Sequence, residues 1–337
     1  MNIYWSGGMN KEYDLIKYRK DILDTKSKSF CGAKWYNATT WLGSGTTASC
    51  HHPPAHKIPL HEIAADPSAI HNTQHKKAMR KMMQRGERPR ECEYCWKVED
   101  MGNDAVSDRV FKSIIYTNED LKKAHEADFN DNTLLKTFEI AFDRTCNLAC
   151  SYCNSSFSTT WAKDIKKDGP YQNLVSDGAA AFQQDGKWTE PFGRDAVTAE
   201  TNPYIKAFWD WWDSGLADSL EELRVTGGEP LMSGETWKLF DKIKARPEMR
   251  LAINSNLICK DKILDNLIEK SQDIKKFHVY TSAECYKEHQ EYVRDNFIWK
   301  TWDKNMKRLI TEGNYEGLHI MMTINSLCLF TITEFLD

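Results

Sequence analysis

The hydrophobic pattern of the second half of the chain alternates between short apolar runs and longer amphipathic segments. The short runs predict strands at 138–142, 222–226, 250–254, 276–282 and 318–325. The longer segments predict helices at 203–213, 235–244, 260–270 and 289–309. Strands that alternate with helices at this period indicate βαβ units and a parallel sheet with right-handed crossovers.

One of these segments carries an unusually aromatic stripe. Ile205, Phe208, Trp209 and Trp212 follow one another at helical spacing, after a proline that suits the first turn of a helix. A stripe at this spacing predicts a helix face packed in the core, in preference to a cofactor site.

The first part of the chain has a different pattern. Between Cys31 and Cys50, β-forming residues flank a Gly-Ser-Gly turn, which predicts a hairpin that brings the two cysteines together. A helix is predicted at 73–85, followed by the pair Cys92 and Cys95. A charged stretch at 99–134 predicts a connecting segment with a helix near 118–126.

Composition narrows the class of protein. The 337 residues are 41% hydrophobic, enough for a sizeable core, and Lys+Arg (45) nearly balances Asp+Glu (49). This balance argues against a general nucleic-acid or anionic-membrane binder. No apolar run approaches the length of a membrane span and the N-terminus lacks a signal pattern, so we expect a cytoplasmic protein. Seven of the ten cysteines fall in two motif-like groups, which in this setting indicates metal binding instead of disulfides.

The densest cysteine group directly follows the first strand of the second half. Cys146, Cys150 and Cys153 are spaced Cys-x3-Cys-x2-Cys. A cubic iron-sulfur cluster has four irons, so three thiolates leave one iron with an open coordination position, which is the mark of a catalytic site. A zinc knuckle or three unrelated thiols are the alternatives for this run alone.

This run resembles the cluster loop of the radical S-adenosylmethionine (SAM) superfamily. In that family the three cysteines hold a [4Fe-4S] cluster, SAM binds the unique iron, and an aromatic residue before the last cysteine lies against the adenine; Tyr152 matches it. A second feature, Gly227-Gly228-Glu229-Pro230 at the end of a later strand, resembles the family motif that receives the SAM amino group. Glycines allow close backbone approach, and a carboxylate accepts ammonium hydrogen bonds.

The resemblance also implies SAM contacts at the ends of later strands. The residues at the matching positions are Ser255, Asn256, Ser282, Glu284 and Asn325. Each can hydrogen-bond ribose hydroxyls or the methionyl group, although polar residues at strand ends also cap the next helix. Arg294, placed on the predicted helix 289–309, is a weaker candidate for the SAM carboxylate.

The first cysteine group resembles the auxiliary-cluster domains of the Twitch and SPASM type that accompany some radical SAM enzymes. Cys31, Cys50, Cys92 and Cys95 would hold a second [4Fe-4S] cluster, with a structural zinc ion as the alternative for the same four thiolates. Such domains usually follow the barrel, whereas this one precedes it. The chain also resembles Twitch-domain radical SAM proteins of bacteriophages.

The fold implied is α/β: a partial (β/α)6-type radical SAM barrel with parallel strands, preceded by a small α+β auxiliary domain with a β-hairpin. We expect the auxiliary domain at 1–110, a connecting segment at 111–133 and the barrel at 134–337. Only five of six barrel strands can be counted, so the sequence is either truncated or the barrel unusually open. An irregular insertion at 168–199 is expected to cover the substrate pocket.

The activity implied is reductive cleavage of SAM to methionine and a 5'-deoxyadenosyl radical, which abstracts hydrogen from a peptide, protein side chain or small molecule. An external flavodoxin- or ferredoxin-like electron donor would be the partner. A zinc-stabilised binding module is an alternative, but it leaves the Gly-Gly-Glu-Pro motif unexplained. An electron-transfer iron-sulfur protein is a second alternative, and it would need closed four-thiolate sites.

Overall fold

The structure is a computed structural model that describes residues 14–169, 191–193 and 195–337. Most of the insertion predicted at 168–199 lies outside the described residues. The strands are β1 (Asn37–Trp41), β2 (Thr46–Ala48), β3 (His56–Lys57), β4 (Thr137–Ala141), β5 (Ala149–Cys150), β6 (Glu222–Thr226), β7 (Arg250–Ser255), β8 (Phe277–Ser282), β9 (Arg294–Asp295) and β10 (Gly317–Met321).

The α-helices are short in the first part of the chain and longer in the second. They are α1 (Leu15–Tyr18), α2 (Ala33–Tyr36), α3 (Leu60–Ala65), α4 (Gln74–Gln84), α5 (Glu93–Glu99), α6 (Asp108–Phe111), α7 (Asn118–Glu126), α8 (Thr159–Asp168), α9 (Pro203–Trp211), α10 (Ala217–Ser219), α11 (Gly234–Ile243), α12 (Asp261–Ser271), α13 (Glu288–Val293), α14 (Trp299–Glu312) and α15 (Ile332–Leu336). The predicted helices at 73–85 and 118–126 correspond to α4 and α7.

The central sheet confirms the α/β prediction. Its eight strands lie in the order β10-β8-β7-β6-β4-β1-β2-β3, and β4, β6, β7, β8 and β10 are mutually parallel. These five are the strands predicted from the apolar runs. Among the described residues β10 and β3 are the two edges, so the sheet is open and not a closed barrel.

Alternation along the strands gives the sheet one apolar and one polar face. Phe138, Val225, Leu251 and Val279 belong to the apolar face, and each is at most 2% exposed. The aromatic stripe on α9 packs in the same core, as predicted: Phe208 contacts Phe138 and Phe142 with ring centroids 6.2 and 5.3 Å apart. The opposite face carries charged and polar side chains.

Two predicted elements are wrong in their boundaries. The single helix predicted at 289–309 is divided into α13 and α14, because Arg294–Asp295 leaves the helix to form β9, which pairs antiparallel with β5. Arg294 is therefore on a strand and not on a helix. The strand predicted at 318–325 ends at Met321, so Asn325 lies beyond the strand.

The predicted hairpin is present, and it extends the parallel sheet. The turn between β1 and β2 is closed by a hydrogen bond from the Gly45 N–H to the Leu42 carbonyl, at 3.2 Å. Gly45 has φ +64°, a conformation that favours glycine. β1 lies next to β4 in the sheet order, which the sequence pattern did not predict.

The chain forms two compact units that are not sequential blocks. Among the described residues, the first contains 14–37, 48–54 and 72–133, and the second contains 38–47, 55–71, 134–169, 191–193 and 195–337. The hairpin strands thus cluster mainly with the second unit, whereas Cys50 clusters with the first. The domain boundaries at 110 and 133 remain a prediction. In the described part of the chain, no helix is long and apolar enough to cross a membrane.

Candidate functional site

The three-cysteine loop connects β4 to β5 at the carboxyl end of the first parallel strand. Cys150 is on β5 and is 8% exposed, whereas Cys146 and Cys153 are partly buried. Burial raises the pKa of Cys146 to about 12 and that of Cys153 to about 11, and neighbouring thiolates of the loop add to both increases. The charge of another cysteine of the loop therefore acts on each of these two thiols.

Consecutive side chains at the start of α8 hold this loop. Ser158 Oγ donates to the Leu148 carbonyl at 2.7 Å, and Thr160 Oγ1 donates to the Cys146 carbonyl at 2.7 Å. Thr159 Oγ1 accepts from the Cys146 N–H at 3.1 Å, and Trp161 Nε1 donates to the Cys150 carbonyl at 2.9 Å. Four adjacent residues thus fix the backbone on both sides of the first two cysteines.

The Gly-Gly-Glu-Pro turn packs directly on the cysteine loop. The Glu229 N–H donates to the Thr145 carbonyl at 2.7 Å. A Cβ on Gly228 would overlap that same carbonyl oxygen and lie 2.6 Å from the Arg144 carbonyl oxygen. Gly227 adopts φ +125°, and a Cβ there would be 2.8 Å from the Asp143 carbonyl oxygen. Two motifs that are separated by about seventy residues are therefore adjacent, and both glycines are needed for the approach.

The carboxylate of Glu229 is buried, 3% exposed, and engaged by three donors. Ser255 Oγ and the Asn256 N–H donate to it at 2.7 Å each, and the Leu231 N–H donates at 3.1 Å. Burial raises the pKa of Glu229, although these donors oppose the increase. Pro230 is buried and begins the short 3-10 turn that follows. Glu229 thus joins the end of β7 to the glycine turn.

Asn256 also reaches the cysteine loop itself. Its Nδ2 donates to Asn147 Oδ1 at 2.9 Å, and Asn147 Nδ2 donates to the Ile258 carbonyl at 2.7 Å. The predicted SAM contacts of Ser255 and Asn256 remain predictions. What the structure places at these residues is a link between the cysteine loop, the glycine turn and β7.

A second buried carboxylate, Glu284, organises the other side of the loop. Arg294 donates to it twice, from Nε at 2.8 Å and from Nη2 at 2.5 Å, and Tyr152 Oη donates at 3.0 Å. Burial alone would raise the pKa of Glu284, but the hydrogen bonds and charge of Arg294 outweigh it and hold the pKa below its ordinary value. Glu284 is fully buried, so a bidentate partner of opposite charge is required.

Arg294 connects this carboxylate to a sulfur of the cysteine loop. Its Nη1 lies 3.6 Å from Cys150 Sγ, and its guanidinium lies over the Tyr152 ring at 5.2 Å from the centroid. The pairing of β9 with β5 places Arg294 opposite Cys150. The helical pattern of 289–309 predicts Arg294 on a helix, as a candidate for the SAM carboxylate, because a strand pairing between residues far apart in sequence leaves no local signal.

The remaining predicted strand-end residues are less closely tied to the loop. Ser282 ends β8 and is partly buried. Asn325 lies in a turn after β10, where its Oδ1 accepts from the Leu327 N–H at 2.9 Å and its Nδ2 donates to the Thr323 carbonyl at 3.0 Å. These contacts cap a local turn, and a role for Asn325 in SAM binding remains a prediction.

The other four predicted ligands meet within the first unit. Cys31, Cys50, Cys92 and Cys95 all line one cavity, together with the basic side chains of Lys34 and Arg109. Burial raises the pKa of Cys50 to about 11 and of Cys92 and Cys95 to about 12, and it raises the pKa of Cys31 as well. A thiol group in such surroundings is not an exposed nucleophile, so these side chains fit a metal site or simple packing better than reactive thiols.

Two buried cations border this cavity, and each is paired with a carboxylate. Lys34, 2% exposed, is bonded to Glu91. Arg109, also 2% exposed, donates to Glu99 at 2.6 Å and to Asp24 at 2.7 Å. Both cations favour the thiolate form of Cys31. Positive charge beside four thiolates suits a group whose net charge with its ligands is negative.

Among residues 14–169, 191–193 and 195–337, no group of three or more His, Cys, Asp or Glu side chains is placed to hold a metal ion as it stands. The donor chemistry nevertheless fits an iron-sulfur group at both places. One place gathers four buried cysteines in one cavity, and the other gathers three interacting thiols on a fixed loop.

The solved structures that this chain resembles include two of SuiB from Streptococcus suis. A crystal structure of SuiB from Streptococcus suis matches with a TM-score of 0.41 and 14% identity, over 77% of this chain and 51% of that one. A structure of SuiB bound to S-adenosylmethionine matches with a TM-score of 0.39 and 14% identity, over 88% of this chain and 58% of that one. The chain thus spans little more than half of the proteins it matches. No protein-family model and no curated protein matches the chain.

Proposed function

We propose that this chain is a radical SAM enzyme whose cluster is held by Cys146, Cys150 and Cys153. The observation that carries the proposal is the contact between its two motifs. The Gly-Gly-Glu-Pro turn touches the backbone of the three-cysteine loop at Arg144 and Thr145, at a glycine where no side chain fits. A zinc knuckle or an electron-transfer site gives no role to a second motif built against the first.

Cys146, Cys150 and Cys153 would hold a [4Fe-4S] cluster, and that group would supply the electron for the reductive cleavage of SAM. The chain's own residues hold the cysteine loop and the glycine turn in position. Trp161 and the hydroxyls before it fix the cysteine backbone, and Glu229 holds the glycine turn and β7 together. Tyr152, 39% exposed, offers a ring face beside the last cysteine on which an adenine can stack.

The test is anaerobic reconstitution of the full chain with iron and sulfide, followed by dithionite and SAM. We expect 5'-deoxyadenosine from the parent and none from Cys150→Ala. Cys259→Ala is the matched control, because Cys259 is a partly buried thiol outside both groups. Unchanged 5'-deoxyadenosine formation in Cys150→Ala would remove the catalytic assignment. A protein that binds zinc without iron would support the binding-module alternative.

We further propose that Cys31, Cys50, Cys92 and Cys95 bind an auxiliary [4Fe-4S] cluster. The convergence of all four on one cavity supports a shared ligand, and the buried cations Lys34 and Arg109 support an anionic one. A zinc ion is the alternative, and elemental analysis of protein purified without added metal separates the two. An external flavodoxin- or ferredoxin-like donor and a peptide or small-molecule substrate complete the proposal.

A further inference from the structure

Two histidines form a closely spaced pair on the polar face of the sheet. His278 is on β8 and His319 is on β10, and their ring nitrogens Nδ1 and Nε2 lie 3.1 Å apart. The rings are nearly parallel, with an interplanar angle of 9°. His278 is 5% exposed, so its hydrogen bonds are not shared freely with solvent.

The pair continues to a carboxylate that reaches solvent. His278 Nε2 lies 2.7 Å from Glu316 Oε2, and half of the Glu316 side chain is exposed. A carboxylate accepts, so His278 carries its proton on Nε2 and its Nδ1 is a lone pair. His319 must then donate from Nε2, which leaves its own Nδ1 unprotonated.

Gly317, on β10, leaves the space in which the two ring nitrogens meet. A Cβ there would overlap His319 Nε2 and lie 2.5 Å from His278 Nδ1. The pair can therefore form only because residue 317 has no side chain. Gly317 does not have a positive φ, so a turn does not account for the glycine.

The neighbouring side chains are polar and form part of the same face. The Tyr280 ring stacks on His319 at 4.5 Å between centroids, and the Arg224 guanidinium lies over Tyr280 at 4.5 Å. Tyr280 is opposite both His319 and Asn254 in the strand register. Arg224 Nη1 donates to Asn254 Oδ1 at 3.3 Å, and the guanidinium has further N–H groups of the kind that a carbonyl group accepts.

We propose that Glu316, His278 and His319 form a proton relay from the polar face of the sheet to solvent, with His319 Nδ1 as the proton acceptor. The molecule it serves would be a polar carbonyl compound, such as a peptide, with a dissociable N–H or O–H group. The proton enters at His319 Nδ1 as the Nε2 proton moves to His278 Nδ1 and the His278 Nε2 proton moves to Glu316. No electron is transferred, and the carboxyl returns its proton to water.

Electrostatics supports the neutral starting state. Burial lowers the pKa of both histidines; the charge of Arg250 lowers both further, and Arg224 adds to this at His319. Glu316 and Glu222 act in the opposite direction on His278. Both rings are thus neutral at neutral pH, as a proton acceptor must be.

The test uses the full chain with ¹⁵N-labelled histidine, and NMR reads which ring nitrogen carries the proton at neutral pH. We expect both His278 and His319 to be protonated on Nε2. Gly317→Ala, which keeps both histidines, should remove the hydrogen-bond shift of the His319 Nε2 proton. Glu316→Gln should lower the pKa of His278, because it removes the carboxylate charge that raises that pKa. The exposed residue His61 provides the control, since His61→Gln should change neither signal.

A finding that His278 carries its proton on Nδ1 would overturn the relay, because His319 Nδ1 would then hold a proton. Diethyl pyrocarbonate, which acylates unprotonated imidazole, gives a second readout by mass spectrometry. His319 should react before His278, and reaction at His278 first would contradict the assignment. Neither measurement requires SAM cleavage, so this inference can fail while the proposed function stands.

Discussion

The two cysteine groups differ in the positive charges that lie beside their buried thiols. In the first unit, four thiols surround a cavity beside Lys34 and Arg109, and each of these cations is already paired with a carboxylate. In the second unit, the cation Arg294 lies 3.6 Å from Cys150 Sγ, its charge also acts on Cys153, and it is paired with Glu284. A four-thiol site can satisfy every position of a cluster, whereas a three-thiol loop leaves one position for another ligand. The side chains around the two groups differ as well.

The two cysteine groups also differ in the contacts around their thiols. Around the three-thiol loop, the side chains of residues 158–161 fix the backbone through hydrogen bonds. The partly exposed Tyr152 directly precedes the last cysteine. The four-thiol cavity has no comparable glycine turn among its lining residues. Perturbing each region should therefore give different losses: bound iron in one, and SAM chemistry in the other.

The largest expected effect is the loss of one entire cluster. Cys92→Ala should lower the iron content of reconstituted protein by about four atoms per chain, because it leaves one iron of a cube enclosed in the cavity without its buried thiolate ligand. SAM cleavage should persist in part, since the other loop is untouched. Iron analysis and a 5'-deoxyadenosine assay on the same sample check this. Parent-level iron in Cys92→Ala would remove the auxiliary cluster.

The next effect concerns the contact between the two motifs. Gly228→Ala should displace the cysteine loop, because the added Cβ meets backbone oxygens that cannot rotate away. We expect a loss of about 1–3 kcal/mol in the free energy of unfolding and a loss of SAM cleavage.

Gly234→Ala is its matched control, since nothing lies within 4 Å of a Cβ built there. Urea unfolding and the 5'-deoxyadenosine assay give the two readouts. Equal behaviour of the two variants would mean that the close approach at Gly228 is not required.

Removing Arg294 tests the cation of the three-thiol site. Arg294→Met leaves the buried Glu284 carboxylate without its charged partner, which should cost about 3–5 kcal/mol at pH 7. Arg308→Met, whose partners Asp265 and Glu312 are on the surface, should cost much less, because solvent screens an exposed ion pair.

The pH dependence should also change sign. In the parent the pKa of Glu284 is held below its ordinary value, so its contribution to stability is present above about pH 4.3 and is lost as pH falls through the folded pKa. Without Arg294, burial raises the pKa of Glu284, and the variant should become more stable as pH falls from 7. Urea titrations from pH 4 to 7 give the free energy of unfolding of both proteins. If it changed with pH in the same direction in Arg294→Met as in the parent, the assignment would be wrong.

The smallest effect is expected at the tyrosine. Tyr152→Phe removes one hydrogen bond to Glu284 and keeps the ring, so stability should fall by about 1 kcal/mol. Tyr292→Phe, at a side chain that is 73% exposed, should be neutral. If Tyr152→Phe raised the apparent KM for SAM strongly, the hydroxyl and not only the ring would contact the cofactor.

Local patterns predicted the parallel strands and their helices well, because alternation and apolar runs report directly on burial. They failed where a long-range pairing decided the backbone. The stretch at 289–309 has helical periodicity, but Arg294 is drawn into a strand by pairing with Cys150 and by its bonds to Glu284. The neighbour of β1 in the sheet could not be predicted either, since a hairpin signal does not specify what lies beside it.

The sequence predicted most residues of the candidate site, but it did not predict which of them contact each other. Cysteine spacing and the glycine motif identified the loop and the turn, and the structure places them side by side. The bonds of Ser255 and Asn256 to Glu229 could not be read from sequence, because strand-end polar residues have many possible partners. Asn147 was missed for the same reason.

The short ladder between β5 and β9 limits how the connection from α13 to α14 can vary. The Ser151 N–H donates to the Val293 carbonyl at 2.8 Å, and Arg294 is opposite Cys150, so the register of one segment sets the position of a cluster-loop sulfur. An inserted or deleted residue at 293–295 would turn the guanidinium away from both Cys150 and Glu284. Libraries that permit length changes there should therefore yield active clones only at the parental length.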